Sequence, residues 1–386
     1  MMIRILHIIH GRHFGGGEKI VLDLATGLDR SRFRPGVVCL AEGRLLGRLQ
    51  EAGVPAGLLP MRGRFDLTVL PPLLRLVREK NIAVLHSHTS RTNFLARLVS
   101  RRTGIPNINT VQSPILRDTN QSLATLPLNA RVDRWMAGWC TMFAAVSEDS
   151  AQYLFDQGVP RRKVQVIYNG VPVPERPPDA GERLAARRAL GLPEQAPLVG
   201  MVAQLRPRKG PEYLVLAAGR VRRFFPDARV VFVGDAEFVE GRDYLAELRA
   251  LAERLGVADT CRWVGFQHNV AQWLKAFDVL ALPSLFGEGL PLSVLEAMAH
   301  GLPVVLTDTE GNRRCVRDGR EGFLVPPRDG RLLGERLVQL LQSAELRAAM
   351  GRAAHERARE RFSIQAMLRA YSALYESLAA PPRRPA

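Results

Sequence analysis

FGEGLPLSVLEAMAHGLPVVLTD, residues 286–308, packs a turn, a helix start, two carboxylates and a strand into one short run. Proline is favoured at the first helical position, where its missing N–H has no intrahelical partner, so Pro291 predicts a helix beginning near it. The first turn of a helix leaves backbone N–H groups unpaired at the positive end of the macrodipole. Gly289, Leu290 and Pro291 therefore make a seat for a phosphate or sugar oxygen. Leu292, Leu295, Met298 and Ala299 recur at helical spacing and predict a core-facing stripe, with Glu296 on another side. Helical side chains lean toward the N-terminus, so Glu296 is expected to look back to the helix start, beside Glu288. Gly301 ends the helix, and residues 303–307 read as a buried strand. Taken alone, the two glutamates read as solvated helix-end acids favoured by the dipole.

The rest of the chain alternates in the same way. Ile3–Ile9 is a strand-length apolar run, followed by a glycine loop and a helix with Ile20, Val21, Leu24 and Leu28 on one face. Gly15, Gly16 and Gly17 permit close backbone approach at that helix start, a recipe for holding phosphate. Strands over 35–40, 82–86, 107–111, 144–147 and 164–168 follow, with helices over 43–52 and 66–80 and a helical stripe of Trp135, Trp139, Met142 and Phe143. Helices between short apolar strands imply a parallel sheet, with ligands beyond the carboxyl ends of its strands, where His86 and His88 lie. The proline-rich VPVPERPPDAGE then marks a linker. A second alternation runs through strands at 198–202, 229–233, 262–264 and 278–283 and helices at 211–223 and 272–277. Residues 332–362 carry a long helical pattern, and 364–378 a final helix.

At 386 residues the chain is long enough for two domains. Residues 1–172 and 191–362 are expected to form them, joined by a linker over 173–190, with a helix over 363–379 and a disordered tail over 380–386. The net charge of +16 invites a phosphate-bearing substrate or an anionic membrane leaflet. Nucleic acid is not expected, because the arginines are scattered and not gathered in a block. Cys39, Cys140, Cys261 and Cys315 lie far apart with no ligand spacing, so neither a disulfide framework nor a zinc site is expected. The N-terminal apolar run is too short for a signal peptide, and no run reaches the ~18 apolar residues that span a bilayer, so a cytoplasmic location is expected.

The 286–308 run resembles the signature of glycosyltransferase family 4, retaining enzymes of the GT-B fold that use nucleotide-diphosphate sugars. Its E-x7-E and A-x-A-x-G-x-P-V elements are matched by Glu288, Glu296, Ala297, Ala299, Gly301, Pro303 and Val304. The resemblance implies an α/β fold of two Rossmann-like domains whose parallel sheets face across a cleft. It puts Glu296 on the ribose hydroxyls and Glu288, as a catalytic residue, at the transferred sugar. GGGEKIVLDLATGL resembles the family's first loop and helix and implies that Gly16 and Gly17 approach the donor diphosphate. Lys209 and Gly210 match the family's diphosphate-clamping G-R-L-x-x-x-K-G, but Gln204 replaces its arginine, leaving Arg206 or Arg208 to compensate. Gly234 closes a strand there, and Phe266 resembles a residue of the turn that lines the base. The family's H-x-H makes His88 a contact to acceptor or sugar, whereas Gln112 on the acceptor side stands where a histidine is common and cannot exchange a proton. Gly311 and Asn312 fall in a loop that usually faces the sugar. No D-x-D pair occurs, so metal independence is expected, with no cofactor beyond the donor. The implied activity is transfer of a hexose to a lipid-linked or polysaccharide acceptor. A sugar-nucleotide epimerase and a non-catalytic nucleotide-sugar binder are the rival readings.

Overall fold

The computed structural model describes residues 2–63, 66–112, 131, 134–236, 238–239 and 242–380. The chain divides into two compact units, Met1–Gly170 with Ile364–Ala386, and Val171–Ser363.

The first unit is built on seven strands: β1 (Ile3–Ile9), β2 (Phe33–Cys39), β3 (Ala56–Leu58), β4 (Val84–Ser87), β5 (Asn107–Val111), β6 (Met142–Ala145) and β7 (Val164–Val166). They are parallel in the order β3-β2-β1-β4-β5-β6-β7. Strand side chains alternate between faces. Leu6 and Ile8 of β1 join Val38 and Leu85 under Leu73, Val77, Leu95 and Val99, while Ile9 joins Val37 and Cys39 under Val21, Leu45 and Leu49. Both faces are thus covered, as a parallel sheet requires. The helix Ile364–Ala379 belongs to this unit and buries Met367, Tyr371, Leu374 and Tyr375. It comes so close to the helix Gly16–Gly27 that a Cβ on Gly27 would lie 2.7 Å from Leu368.

The second unit contains β8 (Leu198–Val202), β9 (Arg229–Val233), a hairpin of β10 (Phe238–Val239) and β11 (Arg242–Asp243), then β12 (Cys261–Gly265), β13 (Val279–Leu282), β14 (Val304–Thr307) and β15 (Gly322–Val325). Six of these form a parallel sheet in the order β12-β9-β8-β13-β14-β15. Strand order reverses between β1 and β4 in the first unit and between β8 and β13 in the second. Such switch points open a crevice outside the carboxyl ends of the strands.

Four expectations from the sequence are corrected. The linker over 173–190 is helical across Ala180–Ala189, and that helix belongs to the second unit. A capping box between Asp179 and Glu182 starts it, and Arg187 fastens it by donating to Ala276 O at 2.9 Å and to Asp278 Oδ2 at 2.8 Å. Proline density upstream masked that start. The pattern over 332–362 is two helices, Gly330–Gln342 and Ala344–Arg361, because Ser343 caps the second by accepting the Leu346 N–H at 3.0 Å. Met142 and Phe143 lie on β6, so the apolar stripe with Trp135 and Trp139 is not helical throughout. The helix expected near Pro291 runs Leu292–Ala299, with Pro291 as its N-cap. Gly311 and Asn312 sit in the short helix Glu310–Cys315 instead of a loop.

Candidate active site

The carboxyl ends of β8 and β13 carry the two loops singled out in the sequence. After β8, the chain forms a 3-10 turn over Pro207–Lys209, and Gly210 caps the following helix, Pro211–Phe224. Gly210 has φ +64°, and a Cβ there would lie 2.2 Å from Pro283 O, so only glycine lets the Lys209 loop rest on the end of β13. After β13, Leu285 N donates to Arg208 O at 2.8 Å, which ties the two loops together.

Glu288 is the convergence point. Its Oε1 accepts from Lys209 Nζ at 2.6 Å, Arg208 Nη1 at 3.2 Å and Ser284 Oγ at 2.6 Å. The side chains are largely enclosed: Glu288 is 5% exposed, Lys209 15% and Arg208 19%. Burial pushes the Glu288 carboxyl up, but Lys209, then Arg208 and the hydrogen bonds from Lys209 and Ser284, outweigh it and hold it at about 2. Burial lowers the Lys209 ammonium, and Glu288 opposes that shift. Arg208 also donates to Gly287 O at 3.2 Å, so its guanidinium braces the turn that presents Glu288.

Ser284 is fixed from behind. Thr307 Oγ1 on β14 donates to Ser284 O, and Asn312 Nδ2 donates to Thr307 O at 2.8 Å. The helix Glu310–Cys315 presses on the same turn, since a Cβ on Gly311 would meet Glu288 O at 2.4 Å. Reading the sequence missed Ser284, Thr307 and this role of Asn312. A serine ending an apolar strand four residues before Glu288 was the available signal.

The other expected donor-side residues are distributed as follows. Glu296 is half-buried on the helix Leu292–Ala299, between the buried Leu295 and Ala297. Leu290 is buried and Gly289 half-buried beside Gly311. Arg206 Nη2 donates to Gln204 Oε1, so the glutamine that replaces the family arginine restrains a neighbouring one. Gly234, at φ +140°, crosses close to Ala203 O and donates to Gly265 O at 2.8 Å. The adjoining Phe266 N–H donates to Asp235 Oδ1 at 2.9 Å, a clamp on the β12 turn that the sequence did not reveal.

In the first unit, Gly16 and Gly17 open the helix Gly16–Gly27, and Glu18 Oε2 accepts the Gly15 N–H at 3.1 Å. A Cβ on Gly17 would meet nothing within 4 Å, so the protein's own packing does not demand that glycine. His88 is buried, its Nε2 3.0 Å from His7 Nδ1. His86 engages Tyr375 OH through Nδ1 and Thr110 Oγ1 through Nε2, both at 2.7 Å. Among the described residues these three histidines form a group whose candidate ligand atoms lie within 4.8 Å. Both His86 nitrogens are spent on hydroxyls, which suits a hydrogen-bonded core better than a metal. Burial holds His7 down at about 3 and keeps His86 and His88 well below the usual imidazole range. Gln112 Oε1 accepts from Asn169 Nδ2 at 3.2 Å, while its buried Nε2 has no partner among the described residues. Residues 113–129, a polar connection long enough in sequence to suggest acceptor recognition, lie outside the described residues.

Comparison with known proteins finds matches over both halves of the chain. Residues 182–357 match the model for glycosyl transferases group 1, and residues 14–174 the model for glycosyltransferase family 4. The D-inositol 3-phosphate glycosyltransferase of Kribbella flavida is 30% identical over 311 residues, covering 77% of this chain and 72% of that protein. The UDP-Gal:alpha-D-GlcNAc-diphosphoundecaprenol alpha-1,3-galactosyltransferase of Escherichia coli is 28% identical over 341 residues, 85% of each chain. Anabaena HepE, solved with UDP and glucose, superimposes with a TM-score of 0.85 at 24% identity, covering 97% of this chain and 100% of that one. With two Rossmann-like units, the GT-B architecture and matches over both halves, the chain belongs to the group 1, family 4 type of glycosyltransferases.

Proposed function

We propose that this glycosyltransferase moves a hexose from a nucleoside-diphosphate sugar to a lipid-linked or polysaccharide acceptor, with retention at the anomeric carbon and without a metal ion or further cofactor. The observation that carries the reading is the gathering of Arg208 and Lys209 on Glu288 at the switch point of a parallel sheet. Departure of a nucleoside diphosphate places the largest developing charge on phosphate, and preorganised cations with little water around them stabilise it best. Lys209 and Arg208 take that role, supported by the backbone at Gly289–Leu290 and the helix start behind Pro291. Glu296 holds the ribose hydroxyls, Glu288 meets the sugar, and Phe266 borders the base. The leaving phosphate itself takes the acceptor's proton, which makes a non-ionisable Gln112 compatible with turnover. Retention follows the family pattern. Glu288 and Glu296 flank one helix start and do not form a hydrolase-like pair on opposite sides of a scissile bond.

The galactosyltransferase relative, by its name, adds sugar to a diphosphoundecaprenol-linked residue, which supports a lipid-linked acceptor here. Among the described residues no helix is long and apolar enough to cross a membrane. Trp135 is 69% exposed, and with the +16 charge it supports a peripheral contact with an anionic leaflet. The test is turnover on lipid extracts with a panel of nucleotide sugars, in chelator, with the product's anomeric configuration read by NMR. Product with inverted configuration, or activity that vanishes in chelator and returns with a divalent ion, refutes the corresponding part.

A further inference from the structure

We propose that Glu288 is the resident counter-ion of the Arg208–Lys209 clamp, and that a nucleoside diphosphate enters by displacing its carboxylate from those cations. This rests on the donor-site reading above and adds a step to it. Two cations and one carboxylate share an enclosed space, and a single oxygen, Oε1, takes all three donors, Lys209 Nζ, Arg208 Nη1 and Ser284 Oγ. Holding an ammonium and a guanidinium together out of water costs free energy, which the carboxylate offsets. A diphosphate brings more negative charge to the same two groups, so carboxylate and diphosphate compete for one set of donors.

Ser284 decides what happens to the displaced carboxylate. Its hydroxyl is neutral and gains nothing comparable from the phosphate, and its main chain is held by Thr307, which Asn312 holds in turn. Glu288 therefore stays anchored at one oxygen while its remaining acceptor positions become available to a sugar hydroxyl. The same competition acts in reverse after transfer. The carboxylate's return to Lys209 and Arg208 promotes release of the nucleoside diphosphate, so Glu288 trades ground-state affinity for turnover.

The inference is tested by calorimetry of uridine, adenosine and guanosine diphosphate binding to the full chain, in buffer at about pH 6.5 so that a lysine lacking its partner stays protonated. Glu288→Gln keeps the size and the Ser284 contact but removes the charge. It should bind the preferred diphosphate on the order of tenfold more tightly than wild type, while transfer falls and product inhibition deepens. Asp259→Asn, which removes a charge from the exposed pair with Arg222, should leave affinity unchanged. Should Glu288→Gln fail to fold, Glu288→Asp, whose shorter side chain draws the carboxylate away from the cations, should still tighten binding several-fold. Equal or weaker binding by a folded Glu288 variant overturns the counter-ion role while leaving the donor site standing. Wild type that binds none of the three diphosphates removes the donor-site reading, and this inference with it.

Discussion

Ser284 illustrates how much depends on a side chain with no charge of its own. It supplies one of the three hydrogen bonds to Glu288 Oε1 and is the one that needs no counter-ion. Ser284→Ala should cost about 1 kcal/mol of stability and raise the donor KM several-fold, as denaturant titration and initial rates will show. Glu296→Ala, which removes the carboxylate proposed to accept from the ribose hydroxyls, should raise the donor KM at least about tenfold. Unchanged donor kinetics in that variant would refute the ribose assignment. Gly210→Ala introduces a Cβ where φ is +64° and Pro283 O lies 2.2 Å away. A loss of more than about 2 kcal/mol is expected, together with displacement of the Lys209 turn, measurable as a lowered Tm and weakened diphosphate binding.

Helices and strands enter through what fastens them. The helix Ala180–Ala189 is held by Arg187, whose guanidinium reaches Ala276 O, Glu194 O, Ala196 O and the Asp278 carboxylate. Arg187→Met retains the length of the side chain but takes the donor from three carbonyls and the nearest cation from Asp278, which keeps the Leu198 N–H, and about 3 kcal/mol of destabilisation is expected in chemical denaturation. Local sequence made this helix legible only in part. Its capping box was present, but the run of prolines before it dominated the reading. By contrast, β1, β8 and β9 were legible to the residue because each is a strand-length, mainly aliphatic run, and β5 because its short β-branched stretch follows Pro106.

The histidine layer joins parts of the chain that are remote in sequence. His7 on β1, His86 and His88 at β4 and Tyr375 on the last helix meet in one buried polar seam of the first unit. These imidazoles are neutral in the fold, with His7 held at about 3 against an ordinary 6.5. Their folded values lie below the unfolded one, so the unfolded chain binds more protons throughout that window. Stability is greatest above pH 6.5 and falls as pH drops from there toward 3, by about 1.4 kcal/mol per pH unit for His7, with His86 and His88 acting in the same direction. Thermal melts between pH 7.5 and 4.5 should show Tm falling with acid, and His7→Gln should flatten the slope by about one proton. A Tm that stays level over that range contradicts the buried, neutral assignment.

The amino-acid order by itself determined the alternation of strands and helices, the two-unit plan, the family signature at Glu288 and Glu296 and the lysine at the end of β8. Each of these is carried by periodicity, by glycine and proline placement, or by residues adjacent in the chain. Only the tertiary structure decided that Lys209 and Arg208 converge on one oxygen of Glu288, that Ser284, Thr307 and Asn312 stand behind it, and that His88 lies buried against His7. Those contacts form between loops that leave different strands, and their geometry is set by sheet order and close backbone approach at Gly210 and Gly311, which no local pattern encodes.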